Sequence, residues 1–555
     1  MQKEAQSIPE EASIRRPDKV LLATLVLGLI FCVQGMHWGR VEAWHPDQMA
    51  FVPLFHEGEL PLKPPSFVRP PFHTYFNFFL AHMPALTAAQ LVDAPLATTR
   101  SVDLVVSRTL TMLLFLGSVV LSYCISKRAF GRFAARATAL ILATSAGFVA
   151  LSHSLTADIP LVSWMLLSLY FAQSILVEGR TTDYALAGFF AGIATATKYN
   201  GLAVGIAIVV AHWLSLNPFS WKQALISKRF FTGLAMVLIG FVLANPFSIL
   251  DYRAFISDFM YTYTITPVYG GITGGTSYLR FFARFVEIIG LPSLILLTIA
   301  LLVSVHSLFF KKAPSIAKKT FLVLLSVALV YFWKFGSFPR LPARFVAPVV
   351  PLWLIMAGAF WDRVRPRRVL VAGLLAAIVT YNVICSLYVG QRFVQDPRME
   401  AQEWARRNIP GGSSIESTPY TPTWNKLGGI NLDDRRTPLL SVAERVFQDF
   451  ASENPWVEAD FGREEERIQW FSIEQLLSRR PDYIAVDSLY YSRFTENESP
   501  AAEHYPSVDA YFTDLLDEEY PYQIVFDKET NEVPTWIYPH DIDVLHNRIV
   551  ILQKE

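Results

Sequence analysis

The chain has 555 residues, 52% of them hydrophobic and 17% charged, with a mean hydropathy of +0.32. That charge content is below the roughly one quarter usual in soluble domains, and the apolar residues are gathered into runs approaching the roughly 20 residues that cross a bilayer, which excludes a wholly soluble chain. The formal net charge of +0 hides a division: residues 390–555 carry 16 Lys+Arg against 31 Asp+Glu, so a basic membrane part precedes an acidic soluble domain.

Arg15, Arg16 and Lys19 lead into the apolar run Val20–Met36. The run is longer than a signal-peptide core and no small-x-small cleavage site follows it. It reads as an uncleaved first span behind a cytoplasmic tail of residues 1–19. About eleven spans are predicted, at 20–37, 104–126, 135–151, 159–177, 184–198, 201–216, 231–249, 286–309, 320–335, 345–361 and 369–389. The fold class is therefore a polytopic α-helical membrane protein with a C-terminal soluble α/β domain. Cys32, Cys124 and Cys385 each sit inside an apolar run, which argues against a disulfide or zinc framework.

Loop charges orient the spans. With the N-terminus inside, the cytoplasmic loops hold Lys127, Arg128, Arg132 and Arg136, then Lys222, Lys228 and Arg229. Next come Lys311, Lys312, Lys318 and Lys319, then Arg363, Arg365, Arg367 and Arg368. The intervening loops are poorer in Lys and Arg, as the positive-inside rule requires. An extra or missing span would invert the pattern, so the count is odd. Loop 38–103, Ser152–Asp158, Lys198–Gly201, 251–285, 336–344 and everything after Gly390 then lie outside the cytoplasm.

Loop 38–103 is dense in proline and aromatic residues, including Leu60-Pro61-Leu62-Lys63-Pro64-Pro65 and Phe67-Val68-Arg69-Pro70-Pro71-Phe72-His73. Such clusters impose a turn-rich path. Tyr75–Met83 and Thr87–Val92 are predicted as short interfacial helices. Tyr269-Gly270-Gly271-Ile272-Thr273-Gly274-Gly275 has the composition of a loop that closes over a ligand. Beyond Gly390, strands are predicted at Ser414–Ser417, Tyr483–Asp487, Gln523–Phe526 and Ile549–Leu552. Helices are predicted at Met399–Arg407, Leu439–Phe450, Ile473–Arg480 and Val508–Glu519.

Trp44-His45-Pro46-Asp47-Gln48 follows the first span directly. Asp47 is either a solvated loop acid or a catalytic base. Asp158, before Pro160, reads as a helix N-cap that can also face a cavity. Arg69, Lys198 and Arg344 read either as snorkelling cations or as a cluster that holds a phosphate at the membrane surface. A lysine at position 198 is expensive in lipid, which places it at an interface or in a cavity. His45, His56 and His73 could bind a divalent metal with Asp47 or Glu57. Their spacing fits no ligand signature, so hydrogen bonding is the reading and no metal is assigned. No P-loop or dinucleotide motif is present, and no nucleic-acid partner is expected.

Taken in order, five motifs resemble the GT-C superfamily of membrane glycosyltransferases. They are His45-Pro46-Asp47-Gln48, Arg69-Pro70-Pro71-Phe72-His73-Thr74-Tyr75, Thr156-Ala157-Asp158, the Gly188 to Gly201 segment ending in Thr-Lys-Tyr-Asn-Gly, and Arg344 through Pro351. The resemblance is nearest to the protein mannosyltransferase and aminoarabinose transferase branch (glycosyltransferase family 39-like). It covers roughly residues 20–390, the transmembrane glycosyltransferase domain, and leaves 391–555 as an extracytoplasmic α/β domain. Where that family has Asp-Glu, this chain has Asp47-Gln48; Arg69 keeps the charge usual before Pro-Pro. The resemblance implies a polyprenyl-phosphate sugar donor in the bilayer and inverting transfer of a hexose or pentose to a protein, lipid or glycan acceptor. The setting it implies is a bacterial inner or plasma membrane. It makes Asp47 and Asp158 the catalytic candidates and Arg69, Lys198 and Arg344 the phosphate-binding ones. His45, Gln48, His73, Tyr199 and Tyr269 are acceptor or sugar-binding candidates. No cofactor is required, a divalent metal staying open. A transporter or flippase of lipid-linked substrates, which favours ionisable midplane residues and repeated halves, and an assembly or receptor protein acting through its outer domain are the alternatives.

Overall fold

The structure is a computed structural model of the whole chain. It describes residues 18–555 apart from 40–41, 43, 46–60, 217, 219, 269–275, 277, 311–314, 340, 425–430, 455–462, 497–499 and 531–547. The part before residue 390 is a helical bundle around one large apolar cluster that runs from Cys32 to Ile378. Its helices begin where the sequence supplies a cap. Asp18 accepts from the Val20 amide at 3.1 Å and starts Lys19–Val33; Ser227 accepts from the Phe230 amide and starts Lys228–Ala244. The outer faces are apolar as well: Ile30 is 57% exposed and Leu238 and Leu302 are each 68% exposed. Water penalises such a surface by about 25 cal/mol per Å², whereas lipid tails do not.

Among the described residues, seven helical stretches are long and apolar enough to cross a membrane, with Lys19–Val33 and Tyr199–Ser215 as shorter apolar helices. The eleven expected stretches all fall on helix, but several are short or merged. Leu96–Ala143 runs through the basic segment read above as a loop. Gly131 interrupts it with φ +87°, a backbone state that favours glycine. Thr181–Thr197 has 17 residues and Gly205–Ser215 has 11, less than the roughly 20 of a straight crossing.

The glycines of the fourth motif set one helix pair. A Cβ on Gly188 would lie 2.0 Å from the Gly233 carbonyl oxygen, and one on Gly192 would lie 2.3 Å from that of Val237. Thr181–Thr197 and Lys228–Ala244 therefore pack backbone to backbone, the close approach that small residues permit in membranes. Helix Thr181–Thr197 ends at Lys198, which is extended, and the chain returns at once through Tyr199–Val204. The pair thus delivers Lys198 to a fixed place.

Two interfacial helices were expected between Tyr75 and Val92. Instead the chain is helical without a gap as Phe72–Asn77, a π-turn Phe78–His82, and Met83–Leu91. Pro84 has no amide to donate, and a wide turn before it accommodates the missing bond.

After Pro397–Asn408 the chain builds a five-stranded sheet in the order β2-β1-β3-β5-β4. The strands are β1 (Ser414–Ser417), β2 (Asp433–Arg436), β3 (Tyr483–Asp487), β4 (Tyr522–Glu529) and β5 (Arg548–Lys554). β1 is parallel to β2 and β3, while β5 is antiparallel to β3 and β4. β2 was not predicted, since its sequence Asp-Asp-Arg-Arg has no apolar alternation. Helices Val442–Glu453, Ile473–Arg479 and Pro506–Leu516 lie where helices were expected; Glu464–Gln469, Ser488–Thr495 and Pro500–His504 are additions. Phe447 of Val442–Glu453 meets Tyr261 of the bundle edge to face, with ring centroids 4.5 Å apart.

Candidate functional site

Three separate stretches bring charge together, and a fourth adds a buried histidine. Asp158 opens the helix Asp158–Val177, and Lys198 follows Thr181–Thr197. Their side chains pair at 2.7 Å, Asp158 at 4% and Lys198 at 26% side-chain exposure. The Lys198 ammonium also lies 4.7 Å from the centre of the Phe345 ring. Arg344, next to Phe345 in the short turn Ala343–Phe345, acts electrostatically on Asp158, and Thr156 hydrogen-bonds to it. His73, fully buried in Phe72–Asn77, feels the Asp158 charge from the other side. Lys198 and Arg344 set two cations around the buried Asp158, where a phosphate oxygen would bind by charge-assisted hydrogen bonds.

One expectation is corrected. Asp158 is not an N-cap. That position is Ala157, and the Asp158 carboxylate makes no capping bond. It is directed instead at Lys198, because a buried carboxylate needs a full counter-charge more than one amide donor.

His73 bonds to its own helix neighbour, with the Asn77 amide 3.0 Å from Nε2. Desolvation pushes its pKa down from 6.5 to about 4, with the Asp158 charge acting in the opposite sense. The unfolded chain therefore binds a proton between these values that the folded chain refuses. Stability is fully present above pH 6.5 and is lost as pH falls toward 4, by at most about 3 kcal/mol. The apparent Tm of the purified protein should drop over that window, and the drop should be shallower in His73→Gln. Equal slopes would remove His73 as the cause.

Tyr199 donates to the Phe67 carbonyl at 2.6 Å, while the Phe67 amide donates to Asp258 and the Val68 carbonyl accepts from Thr262. The hydroxyl of Tyr199 is thus engaged by the outer loop. Arg69 is exposed, two residues beyond Phe67 in this tethered segment. His45 is buried, at 8% exposure. Asp47, Gln48, Tyr269, the glycine segment 270–275, His56 and Glu57 lie outside the described residues. Among the described residues, no group of three or more His, Cys, Asp or Glu is placed to hold a metal ion. An apolar groove lined by Phe282, Thr298, Leu301, Leu302, Val305 and Trp353 lies elsewhere, and none of the charged residues borders it.

Sequence reasoning missed a second polar cluster. Glu42, Asp396, Arg398 and Gln402 are all buried beside Trp38 and Trp44. The pairing of two tryptophans with a charged Asp-x-Arg after the last span was the available signal.

Residues 96–248, which include Asp158 and Lys198, match the family model of dolichyl-phosphate-mannose-protein mannosyltransferases. No curated protein matches the sequence. Among solved structures, ArnT from Cupriavidus metallidurans bound to undecaprenyl phosphate is similar over 97% of this chain and 98% of that one, at 14% identity and a TM-score of 0.51. The Archaeoglobus fulgidus oligosaccharyltransferase in complex with Zn and sulfate is similar over 88% of this chain and 71% of that one, at 12% identity and a TM-score of 0.47. The S. cerevisiae protein O-mannosyltransferase Pmt1-Pmt2 complex bound to its sugar donor is similar over 44% of this chain and 35% of that one, at 16% identity and a TM-score of 0.33. Residues 96–248 thus resemble the dolichyl-phosphate-mannose-protein mannosyltransferases, and the chain shares its fold with ArnT from end to end.

Proposed function

We propose that this chain is a membrane glycosyltransferase that moves a sugar from a polyprenyl-phosphate donor to an acceptor hydroxyl on the extracytoplasmic face, with inversion. The observation that carries the reading is the Asp158–Lys198–Arg344 cluster. It sets two cations around a buried carboxylate, with two of its three residues inside the segment that matches the mannosyltransferase family. The undecaprenyl phosphate bound to ArnT, the structure that shares this fold, supports the lipid-phosphate donor. The loop charges support an odd number of spans, a cytoplasmic N-terminus, and an outer position for the site and for residues 391–555.

In the reaction, the acceptor oxygen bonds to the anomeric carbon as the glycosidic C–O bond to the phosphate breaks. That bonding pair leaves with the lipid phosphate, whose charge rises. Lys198 and Arg344 stabilise this charge, and Arg69 adds a third cation from the loop. Asp47 takes the proton of the acceptor hydroxyl. A free Asp has a pKa of about 3.9, so it is ionised and ready at neutral pH. Asp158 holds Lys198 in place, and His73, neutral by burial, leaves the net charge of the cluster unchanged above pH 6.5. His45, Gln48, Tyr199 and Tyr269 are the residues proposed to line the sugar and acceptor.

The test is incubation of the purified protein with a panel of labelled polyprenyl-phosphate sugars and an extracytoplasmic fraction. Transfer of label from at least one donor is expected. Retention of label on every donor, with donor binding intact, would overturn the assignment.

A further inference from the structure

We infer that the C-terminal α/β unit holds the loop leading to Asp47 in its working position, through a buried polar latch centred on Glu42 and Arg398. The inference rests on the proposed function only for what Asp47 does there.

Glu42 is 5% exposed and lies five positions before Asp47. One carboxylate oxygen accepts from the Thr423 amide at 2.8 Å and from the Trp44 indole at 3.0 Å; the other accepts from the Gln402 side chain at 3.0 Å. Two of these donors belong to the part of the chain after residue 390. Arg398 is fully buried. Its guanidinium lies 4.7 Å from the Trp44 ring and 5.4 Å from the Trp38 ring, and it donates to the Trp44 carbonyl at 3.3 Å. It is held bidentately by Asp396, at 2.9 and 2.6 Å, and the same carboxylate accepts from the Trp38 indole at 2.8 Å. Trp38, Glu42 and Trp44 are thereby held by the N-terminal half of one helix, Pro397–Asn408.

The sheet is built toward this grip. Thr423 sits in the segment that leaves the carboxyl end of β1. Arg436, at the carboxyl end of β2, donates to the carbonyls of Thr418, Thr421 and Pro422 at 3.1, 3.1 and 2.6 Å. Asp487, at the carboxyl end of β3, accepts from the Thr418 hydroxyl at 2.5 Å and the Tyr420 amide at 3.2 Å. The carboxyl ends of parallel strands are where open α/β sheets bind their ligands. Here that edge shapes a segment whose outward contact is Glu42. A buried ion pair adds little net stability over apolar packing. These directional bonds are satisfied in one docking geometry only, so they set position. Glu42 and Gln402 are inferred to be positioning residues for the segment that precedes Asp47 in the chain.

Gln402→Glu sets a second carboxylate against Glu42. Adding Glu42→Gln in the same chain restores an amide–carboxylate bond with its direction reversed. With Gln402→Glu, kcat should fall roughly 10- to 100-fold, the loss expected when a reacting group is misplaced by about 1 Å, while the donor KM stays within about twofold. Hydrogen exchange of residues 38–45 should rise in the same full-length variant. The double variant should recover both. Unchanged exchange in Gln402→Glu, or a loss of kcat that the double variant does not recover, would overturn the latch. If the wild type transfers nothing from any donor, the glycosyltransferase reading fails. The exchange arm still decides the latch: a rise and recovery supports it, and no change overturns it.

Discussion

Asp47→Asn should lower kcat by about 10² to 10⁴-fold while donor affinity stays close to that of the wild type. The reasoning starts from charge. The proposed donor is an anion, and the cations proposed for it, Lys198 and Arg344, act on Asp158. In the proposed division of roles, the Asp47 carboxylate does not bind the phosphate. Its removal takes away the acceptor of the hydroxyl proton, which is needed only as the new bond forms. Asn has the same shape but cannot receive that proton, so kcat falls and donor KM does not. Gln48 sharpens the expectation. The neighbouring position offers no second carboxylate to take over the role. Titration of isotopically labelled donor into Asp47→Asn, beside a rate measurement, separates the two arms. Wild-type turnover in this variant would move the base elsewhere. Lost donor binding would assign Asp47 to the donor site instead.

The features legible in the sequence were those set by local pattern. β1 and β3 occupy their predicted residues because Ser-Ile-Glu-Ser and Tyr-Ile-Ala-Val-Asp are short runs bounded by turns. The cost of a charge in lipid marks Lys198 as a residue that needs a polar partner, and it has a carboxylate beside it. Its partner was not legible, since the pairing joins two helix ends 40 positions apart and no local rule links them. Glu42 was hidden more deeply. It bonds to Gln402 across 360 positions, and in the sequence it is one acid among several in a polar loop. β2 escaped because Asp-Asp-Arg-Arg forms a strand only where the neighbouring β1 offers its edge. Arg108 shows the same limit from the other side: a cation within an apolar run looks misplaced until Met36 and Trp38 present their carbonyls to it at 2.7 and 2.5 Å.

Lys198→Met should do two things at once, and a second substitution should separate them. The first is a loss of donor affinity of roughly 10- to 100-fold, the worth of one charge-assisted hydrogen bond of about 1.5–3 kcal/mol. The second is a loss of stability, up to about 3–5 kcal/mol, because Asp158 stays buried after its partner has gone. Arg344 remains to offset part of that cost. Adding Asp158→Asn removes the stranded charge, so Tm should recover. Donor affinity should not, since neutralising Asp158 restores no donor to the phosphate. If affinity returned together with Tm, Lys198 would be a structural counter-ion for Asp158 and nothing more. Arg69 supplies the comparison: it is exposed, so Arg69→Met should leave Tm unchanged and cost less affinity than Lys198→Met. The ordering follows from burial. A cation in a partly dry site meets the phosphate at low effective dielectric, whereas one in water is screened before it arrives.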